Sequence, residues 1–125
     1  MGKKALLPVA LWLAPALALA QTAPGEPPDG AKLFRTQCGT CHTLKASEPN
    51  RQGPNLEHVY GRKIGAVEGY HYTAGYREST ETWNEDDLDK YLTNPSAMFP
   101  GSTMAYRQAK PEIRKAIIAF LKEQG

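Results

Sequence analysis

Both cysteines of this 125-residue chain and one of its three histidines fall within five residues, Cys38-Gly-Thr-Cys-His42. That spacing has a direct chemical use. Each thiol can add across a vinyl group of a haem to form a thioether, and the adjoining imidazole can ligate the iron, so the pattern reads as a c-type haem attachment site. On one helical turn, side chains three and four residues apart share a face, which projects Cys38, Cys41 and His42 to one side. Other uses of the pattern fit less well. A thioredoxin-like dithiol needs a βαβ setting, and nothing around these residues alternates strand and helix. A structural zinc site needs four protein ligands, and His58 and His71 are not spaced as a second ligand pair. A disulfide between Cys38 and Cys41 is sterically awkward and leaves His42 without a role.

The first twenty residues read as a secretory signal peptide. Lys3 and Lys4 precede an apolar run from Ala5 to Ala20, and Ala18-Leu19-Ala20 is a small-residue cleavage signal. The run holds Pro8 and Pro15 and falls short of the ~20 apolar residues of a membrane span. Cleavage after Ala20 is therefore expected, with export and no span in the mature form; in a Gram-negative source the destination is the periplasm. What remains is about 105 residues, one small domain whose thin core a buried haem would enlarge. The whole chain carries 15 basic and 13 acidic residues. Loss of Lys3 and Lys4 brings them into balance, and with no basic run or stripe a nucleic-acid partner is not expected.

Residues 21–28, rich in Pro, Gly and Ala, are expected to form a flexible leader, and 29–125 the folded domain. Asp29 is a plausible N-cap for a helix running through Ala31, Leu33 and Phe34 into the cysteine motif. Gly30 within the first turn weakens that helix unless something must approach its backbone, which predicts a crossing helix there. From Thr43 to Gly69 the prolines and glycines predict turns and loops. A loop of that length needs a large group to wrap, and a haem is one. Thr82-Trp-Asn-Glu85 reads as a capping box ahead of a stripe of Leu88, Tyr91 and Leu92, and Pro95 is expected to stop this helix at Asn94. Pro111 opens a last helix with Ile113, Ile117, Phe120 and Leu121 on one face, ending at Gly125. The expected fold class is all-α with extensive loops.

From Gly30 to Leu121 these residues resemble class I cytochromes c, of the mitochondrial and related bacterial periplasmic type. After the attachment motif come Gly53-Pro-Asn-Leu56, Tyr60-Gly-Arg-Lys63, Gly69-Tyr-His-Tyr-Thr73, Trp83, Tyr91-Leu-Thr-Asn-Pro95, Pro100-Gly-Ser-Thr-Met104 and Ala119-Phe-Leu121, in family order. The resemblance implies the cytochrome c fold around one covalent haem c, with His42 and Met104 as the two axial iron ligands. Met98, which precedes the Pro-Gly turn, is the rival to Met104. The Pro54 carbonyl would accept a hydrogen bond from His42. Arg62, Tyr72, Trp83 and Ser102 match positions that hold the haem propionates, and Tyr91 would lie near the Met104 sulfur. The chain also departs from the pattern. Gln37, Ser96, Ala97 and Thr103 stand at or beside places where the family carries lysines around the haem edge, leaving Lys45, Arg51, Lys63 and Lys110 as scattered cations. Tyr76 stands where the family often has an asparagine.

The function this implies is a soluble monohaem one-electron carrier rather than an enzyme. It would act in a periplasmic or extracytoplasmic chain, as a monomer, with membrane-bound or periplasmic reductase and oxidase complexes as partners. The alternative is a haem enzyme or gas-binding sensor, which needs an open or labile sixth iron position. A third arrangement, a carrier held permanently as a subunit of a larger complex, differs in partnership alone.

Overall fold

The computed structural model describes residues 1–5, 10 and 25–124. The expected cleavage signal at Ala18-Leu19-Ala20 and the expected helix end at Gly125 lie outside the described residues. Among the described residues no helix is long and apolar enough to cross a membrane. Residues 25–28 carry no regular secondary structure.

The fold is helical. Asp29 caps α1 (Gly30–Leu33) by accepting a hydrogen bond from the Lys32 N–H at 3.1 Å. The helix then widens into one π-helical stretch, Phe34–Cys38, closed by Gly39 N–H donating to the Phe34 carbonyl at 2.8 Å. Such insertions shift the phase of the side chains that follow, and they recur at functional sites. Here the stretch ends on Cys38, the first residue of the cysteine motif.

Two short helices were not expected. α2 (Ala74–Arg77) is a single turn, and α4 (Pro95–Met98) begins on Pro95 itself. Between them α3 (Glu85–Thr93) stops at Asn94, as Pro95 predicts. Its start differs from the expected capping box. The cap is Asn84, whose side-chain oxygen accepts from the Asp87 N–H at 2.9 Å. Thr82 cannot serve, because residues 81–83 are extended. They pair with 62–64 through a bridge between Lys63 and Thr82, with Trp83 N–H donating to the Arg62 carbonyl at 2.9 Å.

α5 (Pro111–Glu123) buries Ile117, Ile118 and Leu121, each stabilising the fold by roughly 1.5–3 kcal/mol. It crosses α1 at Gly30. A Cβ there would collide with the Ala116 carbonyl oxygen and lie 2.8 Å from the Phe120 Cβ, so the close approach predicted from Gly30 is present. The Phe34 and Phe120 rings pack beside it with centroids 5.5 Å apart. Less expected is Arg114, buried on α5. Its Nε donates to Asp89 on α3 at 2.7 Å and its Nη1 to the Gln108 and Ala109 carbonyls at 3.0 and 3.1 Å. A guanidinium has enough donors to satisfy all three and stay charged.

The loop from Thr43 to Gly69 is held by side chains in place of a ladder, as backbone groups without one require. The Asn55 amide donates to the Lys45 and Glu48 carbonyls at 2.8 and 3.1 Å, and the Thr43 hydroxyl donates to the Pro49 carbonyl at 2.8 Å. The Glu48 carboxylate accepts from the Lys45 and Leu44 N–H groups at 3.0 and 3.2 Å. Those two bonds hold its pKa below the ordinary 4.5. A depressed carboxylate stabilises the fold above its ordinary pKa, and that stabilisation disappears as pH falls through the lowered folded value. Glu48→Gln should therefore melt below the native protein at pH 7. The gap in Tm should close as the pH is taken below 4.5, and a gap independent of pH would mean the carboxylate charge is not what these bonds hold.

Candidate functional site

The cysteine motif forms one turn at the end of the π-helical stretch. Cys41 N–H and His42 N–H both donate to the Cys38 carbonyl, at 3.1 and 3.0 Å. The turn opens onto a cavity of about 300 Å³ that runs between the 43–69 loop, α2, α3, α5 and the 103–106 segment. Cys38, Cys41, His42, Pro54, Arg62, Tyr72, Trp83, Tyr91 and Met104 all line it. Residues spread over most of the folded chain thus converge on one space. Ser102 does not line it; its hydroxyl contacts Tyr76 and accepts from the Met104 N–H at 3.3 Å. Met98, on α4, is not on the cavity wall either.

His42 is fixed in one tautomer. Its Nδ1 lies 2.7 Å from the Pro54 carbonyl, which can only accept, so Nδ1 carries the proton and Nε2 keeps its lone pair. Burial pushes the imidazole pKa below its ordinary value, against a smaller opposing pull from that carbonyl. A neutral ring with a free Nε2 is the form that binds a metal. Gly53 leans against this ring. A Cβ on Gly53 would lie 2.6 Å from Nδ1 and 2.8 Å from Nε2 of His42, so the loop backbone reaches the imidazole because no side chain intervenes.

Neither cysteine is in a disulfide. Burial, with a smaller contribution from Cys41, pushes the Cys38 thiol up to about 11. Among the described residues no cluster of three or more His, Cys, Asp or Glu could hold a metal ion, so a zinc site at Cys38 and Cys41 lacks its further ligands.

On another part of the wall, Met104 presents a thioether whose sulfur accepts from the Tyr91 hydroxyl at 3.1 Å. Burial and the neighbouring Tyr76 raise the Tyr91 pKa, which keeps that hydroxyl protonated and able to donate. A third region of the wall is rich in donors. The Tyr72 oxygen accepts from the Val67 N–H at 3.3 Å, leaving its own proton unassigned. Arg62 donates to the Glu57 and Asn55 carbonyls at 2.6 and 3.0 Å. The Thr73 hydroxyl is buried on the cavity wall with no partner among the described residues. An orphaned buried hydroxyl is costly, and a ligand carboxylate is the kind of acceptor that would relieve it. Thr73 closes the Gly69-Tyr-His-Tyr-Thr73 run, and its place beside Tyr72 is the sequence signal for this role.

These features suit a haem: two thiols on one turn, an imidazole with its lone pair free, a thioether, and an apolar cavity with donors in one region. Arg62 is the one lysine, arginine or carboxylate side chain among the lining residues, and it matches the negative charge of propionates. Lys45, Arg51, Lys63 and Lys110 are not on the wall, while Gln37, Thr103 and Tyr106 are.

A family model described as Cytochrome c matches residues 28–125. Among curated proteins, the chain is 40% identical over 105 residues to the cytochrome c of Ulva intestinalis, covering 83% of this chain and 95% of that protein. It is 45% identical over 101 residues to the cytochromes c of Cochliobolus lunatus and Arabidopsis thaliana, covering 80% of this chain and 94% and 90% of theirs.

Proposed function

The chain belongs to the cytochrome c family, and from that premise we propose that it is an exported, soluble carrier whose axial iron ligands are His42 and Met104. Proteins of this family are electron carriers holding one covalent haem c, and Cys38 and Cys41 are the two thiols available for the thioethers. When bound, that haem supplies a one-electron couple at its iron.

The remaining work falls to the polypeptide. Cys38 and Cys41 would fix the group to the turn that ends the π-helical stretch. His42 offers Nε2, with its orientation set by the Pro54 carbonyl. Met104 would offer its sulfur, steadied by the Tyr91 hydroxyl, and a His/Met pair would raise the reduction potential of the iron it holds. Arg62, Tyr72 and Trp83, with Thr73, would supply donors for the propionates, and the buried aromatic walls would keep water away; Ser102, expected to share this role, lies off the cavity wall with its hydroxyl on Tyr76. Held by His42 and Met104 together, such a group would leave no place for a substrate, and the polypeptide around it would keep one arrangement in both redox states. The protein then needs no substrate site and turns over no substrate.

The observation that carries this reading is the 3.1 Å hydrogen bond that holds the Met104 sulfur at the wall of the cavity that His42 also lines. The signal-peptide pattern of residues 1–20 supports export, and we read the protein as a monomer that meets membrane-bound or periplasmic reductase and oxidase complexes in passing. A redox-monitored visible spectrum of the purified haem protein tests the assignment. The oxidised form should be low-spin with a methionine-sulfur-to-iron charge-transfer band, and the reduced form should not take up carbon monoxide. A high-spin spectrum at neutral pH with rapid carbon monoxide uptake would instead make the protein a haem enzyme or gas sensor.

A further inference from the structure

Tyr70, Tyr72, Tyr76, Trp83 and Tyr91 all line the cavity, and each carries a ring that can lose one electron. They also adjoin one another. From the 69–72 bend inward, the Tyr70 and Tyr72 centroids are 4.7 Å apart with planes at 71°, Tyr72 and Tyr76 are 5.8 Å apart, Tyr76 and Tyr91 6.1 Å, and Tyr91 and Trp83 4.8 Å. These are the separations of aromatic rings in contact. Electron tunnelling falls off steeply with distance, so a row of oxidisable rings in contact carries an electron faster than the same span of aliphatic side chains.

The row has a dry end and a wet end. Trp83 and Tyr76 are buried, whereas Tyr70 is half-buried between the exposed residues Gly69 and His71. The Tyr70 hydroxyl donates to the Gln52 carbonyl at 2.9 Å, which ties the outer ring to the loop that follows the cysteine motif. Burial, with a smaller contribution from Tyr76, raises the Tyr70 pKa. At neutral pH the ring is therefore a phenol with a hydrogen to give. Neither the iron-ligand nor the propionate roles assigned above make use of it.

We propose that Tyr70 is the surface terminus of a second route out of the cavity, through which the ferrous protein reduces organic peroxyl radicals. The proposal rests on the carrier reading, which supplies the electron. A phenol gives its hydrogen to an oxygen-centred radical because a new O–H bond forms as the old one breaks. The peroxyl radical takes one proton and one electron from the Tyr70 hydroxyl and leaves as a hydroperoxide, and Tyr70 becomes a phenoxyl radical. Tyr70 then regains an electron from the ferrous iron by way of Tyr72 and a proton from water, and its O–H returns to the Gln52 carbonyl. The net change is one iron oxidised, one peroxyl radical reduced and one proton consumed. No radical enters the cavity, where the Met104 thioether is itself open to oxidation.

The test exposes the haem-loaded ferrous protein to a water-soluble azo initiator that releases peroxyl radicals, with fluorescein as competitor, and reads the yield of ferric protein from the visible spectrum. Tyr70→Phe keeps the ring that packs on Tyr72 and loses the hydrogen. It should cut the yield several-fold while the spectrum and reduction potential stay as they are. Ferricyanide, which takes an electron without a hydrogen, should oxidise the native protein and Tyr70→Phe equally fast. Tyr72→Phe should let the phenoxyl form on Tyr70 but slow its repair, giving a longer-lived tyrosyl signal in electron paramagnetic resonance and more dityrosine-linked dimers. An unchanged ferric yield in Tyr70→Phe, an equal slowing with ferricyanide, or a tyrosyl signal as short-lived in Tyr72→Phe as in the native protein overturns the route and leaves the carrier reading intact. A native protein without covalent haem overturns the carrier reading, and this proposal with it.

Discussion

Replacing Met104 by alanine should leave the haem covalently attached and abolish the low-spin His/Met spectrum. Attachment depends on Cys38 and Cys41, which sit where the π-helical stretch ends and share no hydrogen bond with Met104 or Tyr91 among the described residues. The ligand role proposed for Met104 depends on a sulfur that alanine lacks. The variant should lose the charge-transfer band completely in the oxidised state, bind carbon monoxide in the reduced state, and still show haem on a denaturing gel. Its reduction potential should fall, since loss of a thioether ligand favours the oxidised iron. An unchanged spectrum would mean that another side chain ligates the iron. Met98 is the one other methionine between the attachment motif and α5, and it stands away from the cavity wall.

Gly30→Ala should lower stability by about 1–3 kcal/mol, read as a drop in the denaturant midpoint with unchanged slope. The new methyl would meet the Ala116 carbonyl and the Phe120 Cβ at 2.8 Å. The carbonyl belongs to the α5 backbone, so relief requires the two helices to move apart. Alanine is the better helix former by about 1 kcal/mol, which opposes the collision; a variant more stable than the native protein would show that the crossing relaxes freely. Because Gly30 lies outside the cavity wall, the visible spectrum of the folded variant should not change.

Much of the site was legible in the sequence because covalent chemistry and metal ligation demand particular residues at fixed spacing. Cys38, Cys41 and His42 stand within one turn, and helix boundaries at Asp29, Asn94 and Pro111 follow from local backbone preferences. Gly30 announced a helix crossing before any partner was known. What could not be read was set by contacts between distant segments. The start of α3 moved from Thr82 to Asn84 because residues 61–64 claim 81–83 as an extended partner. Arg114 reads as surface on a helix, yet Asp89 and two carbonyls from the preceding segment make its burial tolerable. The π-helical widening at Phe34–Cys38 has no signature in its residues. Tyr76 stands out in the sequence, but its hydroxyl partners Tyr91 and Ser102 lie 15 and 26 positions away.

The crossing of α1 and α5 also brings the beginning and end of the folded region side by side, so the polypeptide is closed like a buckled strap. Loop closure entropy grows slowly with length, and here one contact fastens nearly the whole circuit. Everything between Gly30 and Ala116 is contained within that buckle, including the long loop with little regular structure of its own. A chain opened in the exposed part of the 43–69 loop would still keep this crossing of α1 and α5. The folded chain is in this sense a ring whose natural break lies beside its clasp.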